Sequence, residues 1–414
     1  MKIEKEGIDP VRRQVIGGIL VTGAAAVASG GWVGRAFAES GRHRPSGSTT
    51  SMGGPRLRST LHVDTGSQPK SVTSYPDGSR VVVCHFGYLD GGNVGIYNAD
   101  SLVRVGTVDF HGNAVESAFS PDGGTLWVSN FRRHVVHAID PESYRIRGEV
   151  SVGRHPKWMV LSADGSRLFV ANWAGSNVSV VDTARMTEVQ RLPAGRHPRG
   201  MAVTAEGVLY VAPFEEHHIR QYDPPGYEEV HRFPTCRFPR HLVLAPDDSR
   251  LYYSCSSNRQ LRWLDMATGR VEGIVPVGEN PRSIDISVDG RFVATADFDS
   301  SSVCLVDTVA LTHRRYDVPG ADRIVGVAIR KSSPLRVYAT SWNNSRLYAL
   351  DPAEPVTISV PVRREEPRIS RVPAPAPAPA PAPESAPAPA PAPAASDLPS
   401  IWSRIAEFLG SAGR

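Results

Sequence analysis

Cysteine is scarce in this chain of 414 residues: Cys84, Cys236, Cys255 and Cys304 are the whole set, and no two of them have C-x-x-C spacing. Four such residues are too few for a disulfide framework or a cysteine-based zinc site. Cys236 and Cys255 fall within one repeating unit, so an oxidising compartment would allow a bridge between them; buried free thiols are the other reading. Charge of one sign is also lacking. The formal net charge is +4 and no long lysine or arginine block occurs, which argues against sequence-specific nucleic-acid binding. No G-x-S-x-G elbow, phosphate-cradling glycine loop or H-E-x-x-H helix is present, so no catalytic residue and no cofactor is assigned. Helical periodicity is missing until the last dozen residues, whereas aromatic and β-branched residues run through the middle, which reads as all-β.

The two ends differ from that middle. Residues 1–38 have a charged start, an uncharged apolar run over 15–33 and Ala36-Phe37-Ala38 as an A-x-A cleavage site, the pattern of a signal peptide. Arg12-Arg13 before a Gly/Ala-rich segment resembles a twin-arginine signal, which implies export of a folded protein. An uncleaved anchor is the alternative, because the apolar run is just long enough to span a bilayer. Residues 39–58 read as a linker. Residues 363–396 are dominated by a Pro-Ala run that cannot bury a core and favours a stiff, extended spacer. Residues 397–414 could form a short amphipathic helix with Ile401, Ile405, Phe408 and Leu409 on one face. Such a helix needs a partner protein, a membrane or the body of the chain to fold against.

Residues 59–362 repeat. Asn98, Asp140, Asp182, Asp223, Asp265, Asp307 and Asp351 each close a strand, at successive spacings of 42, 42, 41, 42, 42 and 44. A turn signal precedes each marker, as in Asp77-Gly78, Asp122-Gly123, Asp164-Gly165 and Asp289-Gly290. In the unit GRHPKWMVLSADGSRLFVANWAGSNVSVVDTARMTEVQRLPA, strands are predicted over 158–161, 168–172, 178–181 and 187–192. A lone four-stranded meander cannot bury both faces, and stacking seven of them radially supplies the missing core. The expected fold is therefore all-β, a seven-bladed β-propeller of four-stranded antiparallel blades. Both 60–64 and 356–360 resemble a fourth strand, and the N-terminal one is favoured for fastening the last blade.

LFVAN, then VSVVDT, then a Gly-x-x-Pro lead-in to the next unit, resembles the YVTN-type β-propeller repeat, over roughly residues 60–362. The resemblance implies a propeller of a kind that includes bacterial surface and periplasmic proteins, relatives of lactonase-type propellers and subunits of quinone-cofactor amine dehydrogenases. It says much about fold and little about function.

Chemistry is expected where the loops gather at the mouth of the central channel. The second strand is followed by Phe86, Phe131, Trp173, Phe214, Phe298 and Trp342 in six units and by Ser256 in the other. These aromatics could stack a flat ligand or simply pack between blades. The residue after the lead-in proline is Lys70, Lys157, Arg199, Arg240 or Arg282 in five units, with His155, Trp158, His197 and His241 beside them. Cations grouped at a narrow mouth focus positive potential on an anionic small molecule or polymer. Alternatively, each pairs with an acidic neighbour such as Glu279, Asp297 or Asp322. His134, His137, His217, His218 and His85 lack the spacing to chelate, so no metal site is assigned. Two functions remain: an exported binding scaffold, periplasmic, cell-surface or secreted, for an anionic ligand or an envelope protein partner, or a propeller enzyme or enzyme subunit.

Overall fold

The 42-residue period has a simple physical origin in the turn between third and fourth strands. In the computed structural model, which describes residues 48–49, 51–88 and 91–359, the Asp140 carboxylate accepts the backbone N–H groups of Glu142 and Ser143. Asn98, Asp265 and Asp307 cap their own turns in the same way. The cap satisfies donors that a tight turn would otherwise leave unpaired. Arg167, Arg291 and Arg336, which open or precede the second strand of their blades, then clamp Asp182, Asp307 and Asp351 at 3.0, 3.0 and 2.7 Å.

Seven such units close into a β-propeller. Blade 1 comprises Pro69–Ser74, Arg80–His85, Val94–Asn98 and Arg104–Val108, and each later blade repeats this antiparallel order. In blade 3 the strands are Pro156–Leu161, Arg167–Asn172, Asn177–Asp182 and Thr187–Pro193, close to the bounds predicted from the sequence. Second and third strands are buried almost throughout because neighbouring blades cover both of their faces. The fourth strands alternate, being covered on one side only. No helix occurs among the described residues.

Blade 7 settles which segment closes the ring. Its first three strands are Ile324–Ile329, Val337–Ser341 and Arg346–Pro352, and its fourth is Leu57–Asp64 from the other end of the sequence. The preceding residues strap two further blades: Ser48–Thr49 pairs in parallel with the outer strand of blade 5, and Ser51–Met52 with that of blade 6. The competing segment near residue 356 forms no outer strand. Val356 accepts a hydrogen bond from Leu335 N–H instead, and Ile358 inserts into the core shared by blades 6 and 7. The expected signal, spacer and tail helix, at 1–38, 363–396 and 397–414, lie outside the described residues.

In five blades the end of the second strand is tied to the loop that leads into the first. Gly278 N–H bonds the Asp297 carboxylate, and a Cβ on Gly278 would lie 2.6 Å from that of Asp297. Gly66 N–H bonds His85, and Ser341 bonds the carbonyl of Asp322. Blade 5 replaces this polar fastener by a covalent one, with Cys236 in place of the glycine and disulfide-bonded to Cys255 across a separation of 19 residues. Cys84 and Cys304 remain free and buried. Converting Cys236 and Cys255 together to serine is expected to cost about 3 kcal/mol by the loop-closure estimate. A thermal melt should show the midpoint several degrees lower, and a reductant should produce the same shift in the wild type only.

Candidate functional site: a cation-lined cavity on the propeller axis

The first strand of every blade begins with an irregularity that fixes what faces the axis. The register slips just after the lead-in position, between Pro69 and Ser71, Pro156 and Met159, Pro198 and Met201, Pro239 and Leu242, and Pro281 and Ile284. A bulge of this kind re-aims the side chains it releases from the ladder. The residue before each proline holds positive φ, as at Gln68, His155, His197, Phe238 and Asn280. Its carbonyl accepts the N–H of the residue that follows the second strand: Phe86, Trp173, Phe214, Ser256 and Phe298, with Phe131 and Trp342 doing the same in blades 2 and 7. In six of the seven blades this hydrogen bond thus sets an aromatic ring beside the released side chains.

Two tiers of side chains result. The first residue after the lead-in position gives Lys70, Val115, Lys157, Arg199, Arg240, Arg282 and Val325 around the axis. The next gives Ser71, Glu116, Trp158, Gly200, His241, Ser283 and Gly326. Between them lies a cavity of about 40 Å³ lined by all five cations together with Glu116, Trp158, His241, Ser283 and Val325. By the volume a water needs, it accommodates roughly three water-sized groups.

Electrostatically the cavity is lopsided. Lys70 is matched, its Nζ 3.3 Å from Glu116 Oε1, with the two side chains only 16% and 15% exposed. Among the described residues, no carboxylate lies within ion-pair distance of Lys157, Arg199, Arg240 or Arg282, which occupy four consecutive blades. The acidic neighbours that the sequence offered are engaged elsewhere: Glu279 with Arg259, Asp322 with Asn343, and Asp297 with Thr295 and Ser302. The Nε atoms of Arg199 and Arg282 are buried without a protein acceptor. Burial, together with mutual repulsion, lowers the proton affinity of the cluster: Lys70 falls to about 8, Arg282 to about 10, and Lys157 and Arg240 well below their usual values. Burial lowers Arg199 to about 10 as well.

The aromatic residues are partners of these cations. Lys157 Nζ lies 4.5 Å from the Trp173 ring centre and 5.4 Å from that of Phe131; Arg199 lies 4.6 Å from Phe214, and Arg282 3.2 Å from Phe298. Ring faces stabilise cations without neutralising them. Trp342, Phe86 and Phe131 form a continuous arc, with centres 5.9 and 5.5 Å apart. Five of the six aromatics are half-buried and Phe298 is fully buried, so the collar combines packing with exposure.

Trp158 and His241 line the cavity together with the cations. Trp158 reaches past Gly200, donates Nε1–H to Met201 O at 3.0 Å, and meets His241 edge-on with ring centres 3.9 Å apart. Both, with Glu116, also line a second cavity of about 200 Å³ on the far side, where Lys331 pairs with Asp285. His241 is 6% exposed, and its Nδ1 accepts Ile284 N–H at 2.7 Å. The neutral ring therefore carries its proton on Nε2, which is buried without a partner. Burial and the Lys70 charge hold its pKa at about 3, so it faces the cavity as a neutral donor.

His155 and His197 are not among the residues lining this cavity; both have positive φ, His155 stacks on Phe131 at 4.2 Å, and His197 stacks on Trp173 at 4.3 Å while pairing with Glu215. Glu116 escaped the sequence reading because blade 2 lacks the lead-in proline and has Ala114 there. Val325, Ser283 and Glu116 would have been found by aligning the seven first strands on their bulges. No group of three or more metal-binding side chains occurs among the described residues.

No family model matches the chain, and no curated protein matches it in sequence. Among solved structures, the chain is similar to Kuenenia stuttgartiensis hydrazine synthase, with a TM-score of 0.60 and 18% identity over 73% of this chain and 99% of that one. At that identity the likeness establishes the fold: the protein is a seven-bladed β-propeller.

Proposed function

We propose that this protein is an exported binding propeller that takes an anionic ligand, or an anionic group of a partner, into the axial cavity. The observation that carries the reading is the set of cations in four consecutive blades, Lys157, Arg199, Arg240 and Arg282, lining one cavity with no carboxylate within ion-pair distance among the described residues. Unpaired buried charge is costly, and a bound anion recovers that cost through charge-assisted hydrogen bonds. Export is supported by the signal-like residues 1–38 with Arg12-Arg13, and by a disulfide of the kind that persists in oxidising compartments. The YVTN-like repeat fits a periplasmic or cell-surface protein. The Pro-Ala segment and residues 397–414 would present the propeller to an envelope protein or a membrane.

An enzymatic reading rests on one specific feature, the Lys157 amine, whose lowered proton affinity would suit a nucleophile. An absorbance scan and metal analysis of the protein purified from its native envelope separate the two: a stoichiometric chromophore or metal favours the enzyme.

Replacing Lys157, Arg199 and Arg240 together by alanine tests the binding reading. Calorimetric titration with phosphate and with an acidic polymer should show at least a hundredfold loss of affinity, with a cooperative melt retained. Unchanged affinity would remove the cavity from the reading.

A further inference from the structure

We propose that the axial cavity is selective for an anion that still carries a proton, that inorganic hydrogen phosphate is its ligand, and that Glu116 sets this choice. The inference rests on the anion-binding reading above and adds the chemistry of the ligand. The cavity wall is divided by hydrogen-bonding character. Blades 3 to 6 contribute the Lys157 ammonium, the Arg199, Arg240 and Arg282 guanidinium groups and the neutral His241 ring, all of which donate, together with Ser283, whose hydroxyl can donate as well as accept. The tautomer of His241 is fixed by the Ile284 amide, so this nine-tenths-buried ring cannot turn an acceptor toward the ligand without breaking a 2.7 Å hydrogen bond.

Opposite them, blade 2 contributes the one carboxylate of the cavity, Glu116, held by Lys70. A sulfate ion has four bare oxygens, and the dianion of a phosphomonoester has three with an ester group in place of the fourth, so neither carries an O–H. A bare oxygen turned to Glu116 would face another anionic oxygen in a buried site, an arrangement that is strongly unfavourable. Hydrogen phosphate donates its single O–H to Glu116 while its remaining oxygens accept from the cations and His241, so every contact has the right polarity. The small cavity, about 40 Å³, excludes bulky ligands. An ester tail would have to pass the arc of Trp342, Phe86 and Phe131. Replacement of Glu116 by glutamine keeps the shape and supplies an amide that can donate to a bare oxygen.

The deciding experiment is calorimetric titration of the full exported chain at about pH 8 and constant ionic strength, with inorganic phosphate, sulfate and methyl phosphate. At that pH the ester has lost its second proton, whereas inorganic phosphate keeps one. Wild-type protein should bind phosphate at least about tenfold more tightly than the other two, and Glu116→Gln should bring sulfate to within about threefold of phosphate. Equal affinities in the wild type, or a preference that survives Glu116→Gln, would overturn the proton-selective site and leave a general anion site. Absence of binding by all three ions would overturn the anion-binding reading itself. Should Glu116→Gln fail to melt cooperatively, the three-ion comparison in the wild type still decides.

Discussion

Removal of residues 48–64 is expected to abolish the cooperative melt of the propeller. The closing strand Leu57–Asp64 is paired along its whole length with Arg346–Pro352, from Leu57 opposite Pro352 to Asp64 opposite Arg346. It also ties into the neighbouring blade through Ser59 N–H, which donates to Tyr316 Oη, and it buries Leu57 in the core of blades 6 and 7. Without it the third strand of blade 7 becomes an unpaired edge, and the outer strands of blades 5 and 6 lose their parallel straps. A ring of blades that each depend on their neighbours has no local stability to fall back on. Circular dichroism should show no cooperative transition for the deletion variant, and Leu57→Ala should reproduce part of the effect, at about 2–4 kcal/mol. A deletion variant melting within a few degrees of the wild type would show that closure contributes little.

The second large effect is the opposite in sign: Arg240→Met should stabilise the protein when no multivalent anion is present. Arg240 is held among Arg199, Arg282 and Lys157, and burial followed by these neighbouring charges depresses its pKa well below the usual value. Replacing a buried ion pair or triad by well-packed apolar side chains is often neutral or stabilising by about 1–4 kcal/mol, and an unpaired charge has less attraction to lose. The pH dependence follows from the same crowding. Lys70 has a folded-state pKa of about 8 against 10.5 unfolded, so between these values the unfolded chain binds more protons. Stability should therefore rise with pH across that window and level off above it. Lys70→Met should flatten that part of the profile. Phosphate should stabilise the wild type and leave the variant lacking Lys157, Arg199 and Arg240 unmoved, because only the former binds it.

Much of this architecture is written in short-range chemistry. In five blades the Asp or Asn caps the third-to-fourth-strand turn with its side-chain oxygen, and its recurrence at this spacing, with Asp223 and Asp351 at the equivalent positions of blades 4 and 7, made seven blades countable. The cations were legible because they follow a proline, and a proline marks the residue just before the bulge. What stayed hidden depends on contacts across the ring. Glu116 stands in a blade without that proline, and nothing local to it announces an axial position. The straps at Ser48–Thr49 and Ser51–Met52 pair two residues each, too few for any periodic pattern. His155 and His197, adjacent to the cations in sequence, have left-handed backbone and stack on the aromatic collar instead of lining the cavity. The Cys236–Cys255 bond was one of two readings until the loop was seen to bring their Cα atoms within 5.9 Å.

Everything functional in this account depends on the axial cavity being an anion site. The most direct test is the melting temperature of the wild-type chain as phosphate replaces chloride at constant ionic strength and constant pH. The account predicts a rise that grows with the logarithm of phosphate concentration once the site begins to fill, following mass action. A melting temperature that stays flat over the whole titration would contradict it.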